Sequence, residues 1–178
     1  TDLLARSVVQ ARTAELGRMA EKIFLQLDFI ARDSELRRDR AEAEGFIDSF
    51  KGRLPEEIRY VFFAGADGAF LTSEGARGNI SDREYFKRIV EGGAARVVSD
   101  AVISKADGLP VIVLSVPYVG ASAKAEGVVS AAISVEYFCQ YVSGVTMGRN
   151  GYGYMIDRNA TVIAHRNRDY VLKLNFLD

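Results

Sequence analysis

After Pro55 the chain becomes a succession of short apolar segments joined mostly by tight turns, and this constrains its fold more than any other feature. "RYVFFAG" and "AFLTS" are separated by Asp67-Gly68, and "RVVSDAVIS" and "PVIVLSVPYV" by Asp107-Gly108. Asp-Gly between apolar runs is a hairpin signal. "VVSAAISV" follows after the loop "GASAKAEG", and one helical stretch, "SDREYFKRIVEGG", is inserted after the second strand. Parallel strands need crossovers of a dozen residues or more at every step, and no such alternation is present. The pattern predicts a five-stranded antiparallel sheet.

The first 53 residues have a different period. Leu16, Ala20, Ile23, Leu27 and Ile30 recur at steps of four and three, which places them on one helical stripe. The stripe fails at Ser34 and Arg37, so "RDSELRRDR" marks a break or turn. A second amphipathic helix carries Phe46, Ile47 and Phe50 and ends near Gly52 and Pro55. The stripe is short for a coiled coil, and covering the sheet is the preferred use of it over a dimer seam. The expected class is α+β, with a long N-terminal helix packed on the sheet.

Composition excludes several chemistries. Hydrophobic residues make up 48% of 178, enough for a core, and the net charge of −1 advertises no nucleic acid. Arg37-Arg38-Asp39-Arg40 is interrupted by acid and reads as a solvated helix face. With one cysteine (Cys139) and one histidine (His165), no structural zinc site or disulfide framework can be built. "GRNGYGYMI" lacks the order of a dinucleotide loop, so no cofactor is expected. A small hydrolase using His165, or an acid pair such as Asp67 and Asp100, is the enzymatic alternative, and scarcity of histidine and cysteine argues against it. No apolar run reaches the roughly 18 residues that span a bilayer.

The C-terminal segment repeats an earlier pattern. "YMIDRNATVIAH" (154–165) echoes "FAGADGAFLTS" (63–73), with Asn159 where Asp67 stands and Val162-Ile163 where Phe70-Leu71 stand. This predicts a second hairpin that opens a further, incomplete module; the alternative is a hairpin that joins the first sheet. The expected boundaries are a helical segment 1–53, a first module 54–147 and the hairpin segment 148–178.

The long helix, "SDREYF", "DAVISKADGLPVIVLSVPYV", "EGVVSAAISVEYF" and "GYGYMIDRNATVIAH", in this order and spacing, resemble the double-Cache sensor domains. That resemblance implies two PAS-like modules on a shared helix, the membrane-distal one holding a ligand. It implies an extracytoplasmic (periplasmic) portion of an inner-membrane receptor flanked by transmembrane helices: a chemoreceptor, sensor histidine kinase or cyclic-dinucleotide enzyme. A homodimer through the N-terminal helix is a further expectation. The competing reading is an interaction or dimerisation module with no small-molecule ligand.

Arg83 is the residue on which the choice of ligand turns. Ser81 and Glu84 match a Ser-x-x-Glu capping box, which predicts a helix starting beside Arg83. A cation is unfavourable at a helix start unless an anion lies between them, and Arg grips carboxylates with paired hydrogen bonds. Pairing with a local acid such as Asp100, or an outward-pointing side chain, is the alternative. The resemblance implies that Arg83, Tyr85 and Phe86 occupy the places that contact a ligand carboxylate in the amino-acid-binding branch. The tyrosine and aspartate of that branch's third strand fall at Val102 and Ser104, and the aspartate that holds the ammonium falls at Ala132. Tyr118 either lines the pocket or packs. Ser130, Ala132 and Ser134 share one strand face, and small residues beneath an aromatic-bearing helix predict a void. With no acid opposite Arg83, the expected ligand is a small organic acid lacking an amino group.

Overall fold

The computed structural model describes residues 2–33, 36, 40–120, 124–147 and 150–177. Helix α1 runs Asp2–Ala31 and α2 runs Arg40–Asp48. Ser34, Arg37, Arg38 and Asp39, with most of the break and the basic cluster placed there by sequence, lie outside the described residues. The strands of the first sheet are β1 (Ile58–Gly65), β2 (Ala69–Thr72), β3 (Arg77–Asn79), β4 (Val97–Val98), β5 (Val102–Ile103), β6 (Pro110–Val119) and β7 (Ala125–Ser134). Helix α3 (Glu84–Val90) intervenes between β3 and β4. Helix α4 (Val135–Ser143) follows β7, and then come β8 (Thr146–Met147), β9 (Gly151–Tyr152), β10 (Met155–Ile156), β11 (Val162–Ala164) and a 3-10 turn at Arg168–Tyr170.

The sheet has the order β3-β2-β1-β7-β6-β4, with β5 also pairing β6, and every pair is antiparallel. Seven strands replace the expected five for two reasons. The short edge strand β3 was not foreseen. "RVVSDAVIS" does not run as one strand but breaks at Ser99-Asp100-Ala101 into β4 and β5. Ser99 closes the break by accepting the Val113 N–H on its Oγ at 2.8 Å.

Strand parity divides the core into two layers. Val129, Ala131 and Ile133 of β7 are buried in one cluster with Ile23, Leu27 and Ile30 of α1 and Ile47 of α2. Burying a side chain of this size contributes about 1.5–3 kcal/mol, which is why the α1 stripe settles on the sheet. Val128 and Ala132 are buried on the opposite face with Tyr60, Phe62, Tyr85, Phe86 and Ile89. The N-terminal half of α1 is largely exposed, and Tyr141 of α4 props it by donating to Glu15 Oε2 at 2.8 Å. Arg96 ties the β4 end to α1, reaching Glu21 at 2.9 Å and Asp28 at 2.7 Å over the Phe24 ring.

At the C-terminus, β10 and β11 form a two-stranded sheet of their own and do not join the first sheet. Ile163 and Ala164 of β11 pack into the cluster that holds Cys139 and Val142 of α4. Among the described residues no helix is long and apolar enough to cross a membrane.

Candidate functional site

The site is built where the broken third strand faces the start of α3. Asn79 organises that start: its Oδ1 accepts from the Ser81 N–H at 2.9 Å and from Ser81 Oγ at 2.6 Å. Ser81 is thereby engaged, and the capping box does not form. The helix begins at Glu84 with Arg83 as its N-cap, in extended conformation and with no side-chain cap. Lys105 anchors the same turn from across the sheet edge, donating to Asp82 Oδ1 at 2.7 Å and to the Asn79 carbonyl at 3.0 Å. That contact is the main reason the Asp82 carboxyl titrates below the usual range.

A cavity of about 260 Å³ opens beside this turn, lined by Arg83, Glu84, Tyr85, Arg88, Asp100 and Arg158 among others. Its size suits a ligand smaller than a typical drug, whose pockets begin near 300 Å³. Arg83 is half-buried and donates Nη2 to the Ile103 carbonyl at 2.7 Å. It pairs with no carboxylate among the described residues, so its charge is not neutralised there. Asp100 instead accepts from Arg158, with Oδ2 2.7 Å from Nη2 and 3.2 Å from Nε. Glu84 and Arg88 also line the cavity without an ion-pair partner among the described residues.

Tyr85 is 6% exposed, and its hydroxyl makes no hydrogen bond among the described residues. Burial pushes its phenol well above the usual tyrosine range, and the Arg83 charge offsets this in part. At neutral pH Tyr85 is therefore an unionised O–H donor on the cavity wall.

The remaining expected site residues are distributed differently. Val102 lines the cavity. Phe86 is 3% exposed and packs into the sheet beneath α3. Ala132, fully buried, sits under the same helix with Tyr60 and Val113 as lateral neighbours. The void expected above it is filled by Tyr60, Phe62, Tyr85 and Phe86, and Ser130 meets Ser115 hydroxyl to hydroxyl at 2.7 Å. Ser104 does not line the cavity. It receives the Ala106 N–H at 3.0 Å in the β5–β6 turn and meets the Tyr60 hydroxyl at 2.7 Å. Tyr118 lies on the α1 face, donating to the Leu36 carbonyl at 3.1 Å with its ring edge-on to Phe63.

Sequence reasoning placed Asp100 beside Arg83 only as an alternative partner for its charge, a pairing that does not form, and missed Arg158 altogether. An Asp inside an apolar run was the one local signal for Asp100. The premise that no acid shares the space with Arg83 is also corrected, since Glu84 and Asp100 do. His165 is engaged elsewhere: its Nδ1 accepts the Asn167 N–H at 2.8 Å, and Tyr152 and Tyr170 pack on the ring. Asp67 caps its own turn through the Ala69 N–H at 3.0 Å. These contacts assemble no nucleophile and base.

The Cache domain family model matches residues 3–178. The chain belongs to the Cache domain family. The methyl-accepting chemotaxis protein TlpA of Bacillus subtilis (strain 168) is 26% identical over 141 residues, 71% of this chain and 21% of that protein. McpB of the same strain is 26% identical over 93 residues, 52% of this chain and 13% of that protein. The chain thus spans about a fifth or less of these relatives. In fold it resembles the ligand-binding domain of the Pseudomonas fluorescens chemoreceptor CtaA in complex with L-alanine, with TM-score 0.79 and 15% identity over 97% of this chain and 75% of that one. It also resembles the Pseudomonas aeruginosa PAO1 chemoreceptor PctB domain in complex with L-Arg, with TM-score 0.73 and 14% identity over 92% and 65% of the two chains. The extracellular domain of the putative histidine kinase mmHK1S-Z3 gives 0.72 and 14%, over 90% and 70%.

Proposed function

We propose that this Cache sensor domain is the extracytoplasmic input domain of a bacterial receptor and binds a small carboxylate beside Arg83. The observation that carries the reading is a half-buried guanidinium with no carboxylate partner, sharing a cavity with the unpartnered Tyr85 hydroxyl. Arg83 supplies paired donors and Tyr85 a neutral one, a set that matches carboxylate oxygens. Three guanidiniums (Arg83, Arg88, Arg158) face two carboxylates (Glu84, Asp100) once Asp82 is assigned to Lys105. A monoanion neutralises that excess, whereas a zwitterion leaves it and brings an ammonium for which, among the described residues, Glu84 is the one lining carboxylate without an ion-pair partner, Asp100 being held by Arg158. This favours an acid without an amino group, although the CtaA and PctB complexes make an amino acid the competing ligand.

Binding biases the receptor by its difference in affinity between two positions of the module on α1, which carries the change toward the membrane. The hairpin 148–178, separate from the first sheet, is read as the opening of a second module. A second copy packing on α1 is the proposed dimer: Leu25 and Phe29 are 63% and 75% exposed beside an apolar groove.

Calorimetry with acetate, lactate, pyruvate, glycine and L-alanine tests the ligand class. A six-heavy-atom acid is limited to roughly −9 kcal/mol, so micromolar affinity for pyruvate is the best case. Tight binding of glycine or L-alanine with no response to the acids would contradict the reading.

A further inference from the structure

The cavity and the C-terminal hairpin meet at one side chain. Arg158 lies in the β10–β11 turn, yet it lines the cavity that Arg83, Tyr85 and Arg88 line from the α3 side. Its bonds to Asp100 use Nε and Nη2 and converge on one carboxylate oxygen. A guanidinium has five N–H donors, so the other edge of the fork remains for a second acceptor. Asp100 belongs to the break between β4 and β5, and β11 packs through Ile163 and Ala164 beside α4. Among the described residues, the Asp100 pair is the hydrogen-bonded tie from this turn to the first sheet. With the two side chains 57% and 34% exposed, it is a pair of the weak, solvated kind.

We propose that Arg158 is a second binding residue of this cavity: a small carboxylate held by Arg83 also accepts from the unused edge of Arg158, and so ties the hairpin turn to α3. The proposal rests on the carboxylate reading of the Arg83 site. It adds an occupancy-dependent tie to a hairpin already held by Ile163 and Ala164 beside α4, by a route that does not pass through α1. Asp100 orients the guanidinium and at the same time competes for it. Removing the Asp100 charge therefore helps an anion, whereas removing Arg158 hurts it. A pair with a purely structural role gives both changes the same sign.

The test is titration calorimetry of the 178-residue chain with pyruvate, with acetate and lactate alongside, at low ionic strength. The variants are Arg83→Ala, Arg158→Ala, Arg158→Lys and Asp100→Asn, and hydrogen exchange is followed over residues 154–165. Arg83→Ala is expected to abolish binding. Arg158→Ala is expected to weaken it about tenfold, the lower end for a charge-assisted bond. Arg158→Lys keeps the charge, loses the fork and recovers part of the affinity. Asp100→Asn binds at least as tightly as the parent. Pyruvate slows exchange in 154–165 in the parent and leaves it unchanged in Arg158→Ala. Parental affinity in Arg158→Ala, or equal weakening in Asp100→Asn and Arg158→Ala, overturns the proposal while leaving the Arg83 site intact. Binding unaffected by Arg83→Ala, or absent for all three acids, removes the site reading and this inference with it.

Discussion

Ala132→Val distinguishes a packed sheet face from an open one. Ala132 is completely buried, between Tyr60 and Val113 laterally and within the cluster that contains Tyr85 and Phe86. Valine adds two methyl groups where the aromatic side chains already occupy the space. Overpacking of this kind costs typically 1–3 kcal/mol, and the full burial of every neighbour named places this site near 2 kcal/mol. For a chain of 178 residues, about 2 kcal/mol lowers Tm by roughly 5 °C. Differential scanning calorimetry at neutral pH measures it. An unchanged or raised Tm would mean that a void lies above Ala132 after all, and the aromatic packing described here would be wrong.

Gly127→Ala should be more damaging: a Cβ there would lie 2.1 Å from the Ala64 carbonyl oxygen, a backbone atom of the neighbouring strand, and urea denaturation should show a loss of several kcal/mol, on the scale of severe overpacking. Burial opposes ionisation of Asp107, but hydrogen bonds led by Arg59 outweigh it and hold the carboxyl below the usual range. A carboxyl depressed on folding contributes stability above its unfolded value near 3.9 that is lost as pH falls through the folded value. The urea midpoint should therefore fall as pH drops below about 4, and Asp107→Asn should flatten that slope. Phe29→Glu should leave the unfolding free energy within about 0.5 kcal/mol of the parent, since the side chain is 75% exposed, while sedimentation equilibrium should show weaker self-association if the proposed dimer packs on α1.

The parts of the fold legible in the sequence are those with an unbroken local period. The steps of α1 and the alternation of β7 each name a face, and both faces are found where the period puts them. Alternation also placed Tyr118 with Val116 on the α1 side, so its packing role could have been read from parity alone. The break at Ser99-Asp100-Ala101 was not legible, because Ser99 is satisfied by Val113 of β6 and Asp100 by Arg158, both outside the local run. β3 was missed because "RGN" has no apolar alternation and pairs only as an edge.

Arg83 stood out locally as a cation before a helix. Arg158 did not, because it reaches the cavity through the packing of the hairpin beside α4. The floor of small residues was read correctly as a face and wrongly as a space. Volume above a strand is set by what the opposite layer delivers, and here α3 delivers Tyr85 and Phe86.

The most direct measurement is the 15N NMR signal of the Arg83 side-chain Nε–H during a pyruvate titration, assigned by its loss in Arg83→Lys. A saturable shift of that resonance, in step with the calorimetric curve, is the predicted result. A signal that stays fixed while pyruvate binds elsewhere, or that moves with glycine and not with pyruvate, would contradict the assignment of the site.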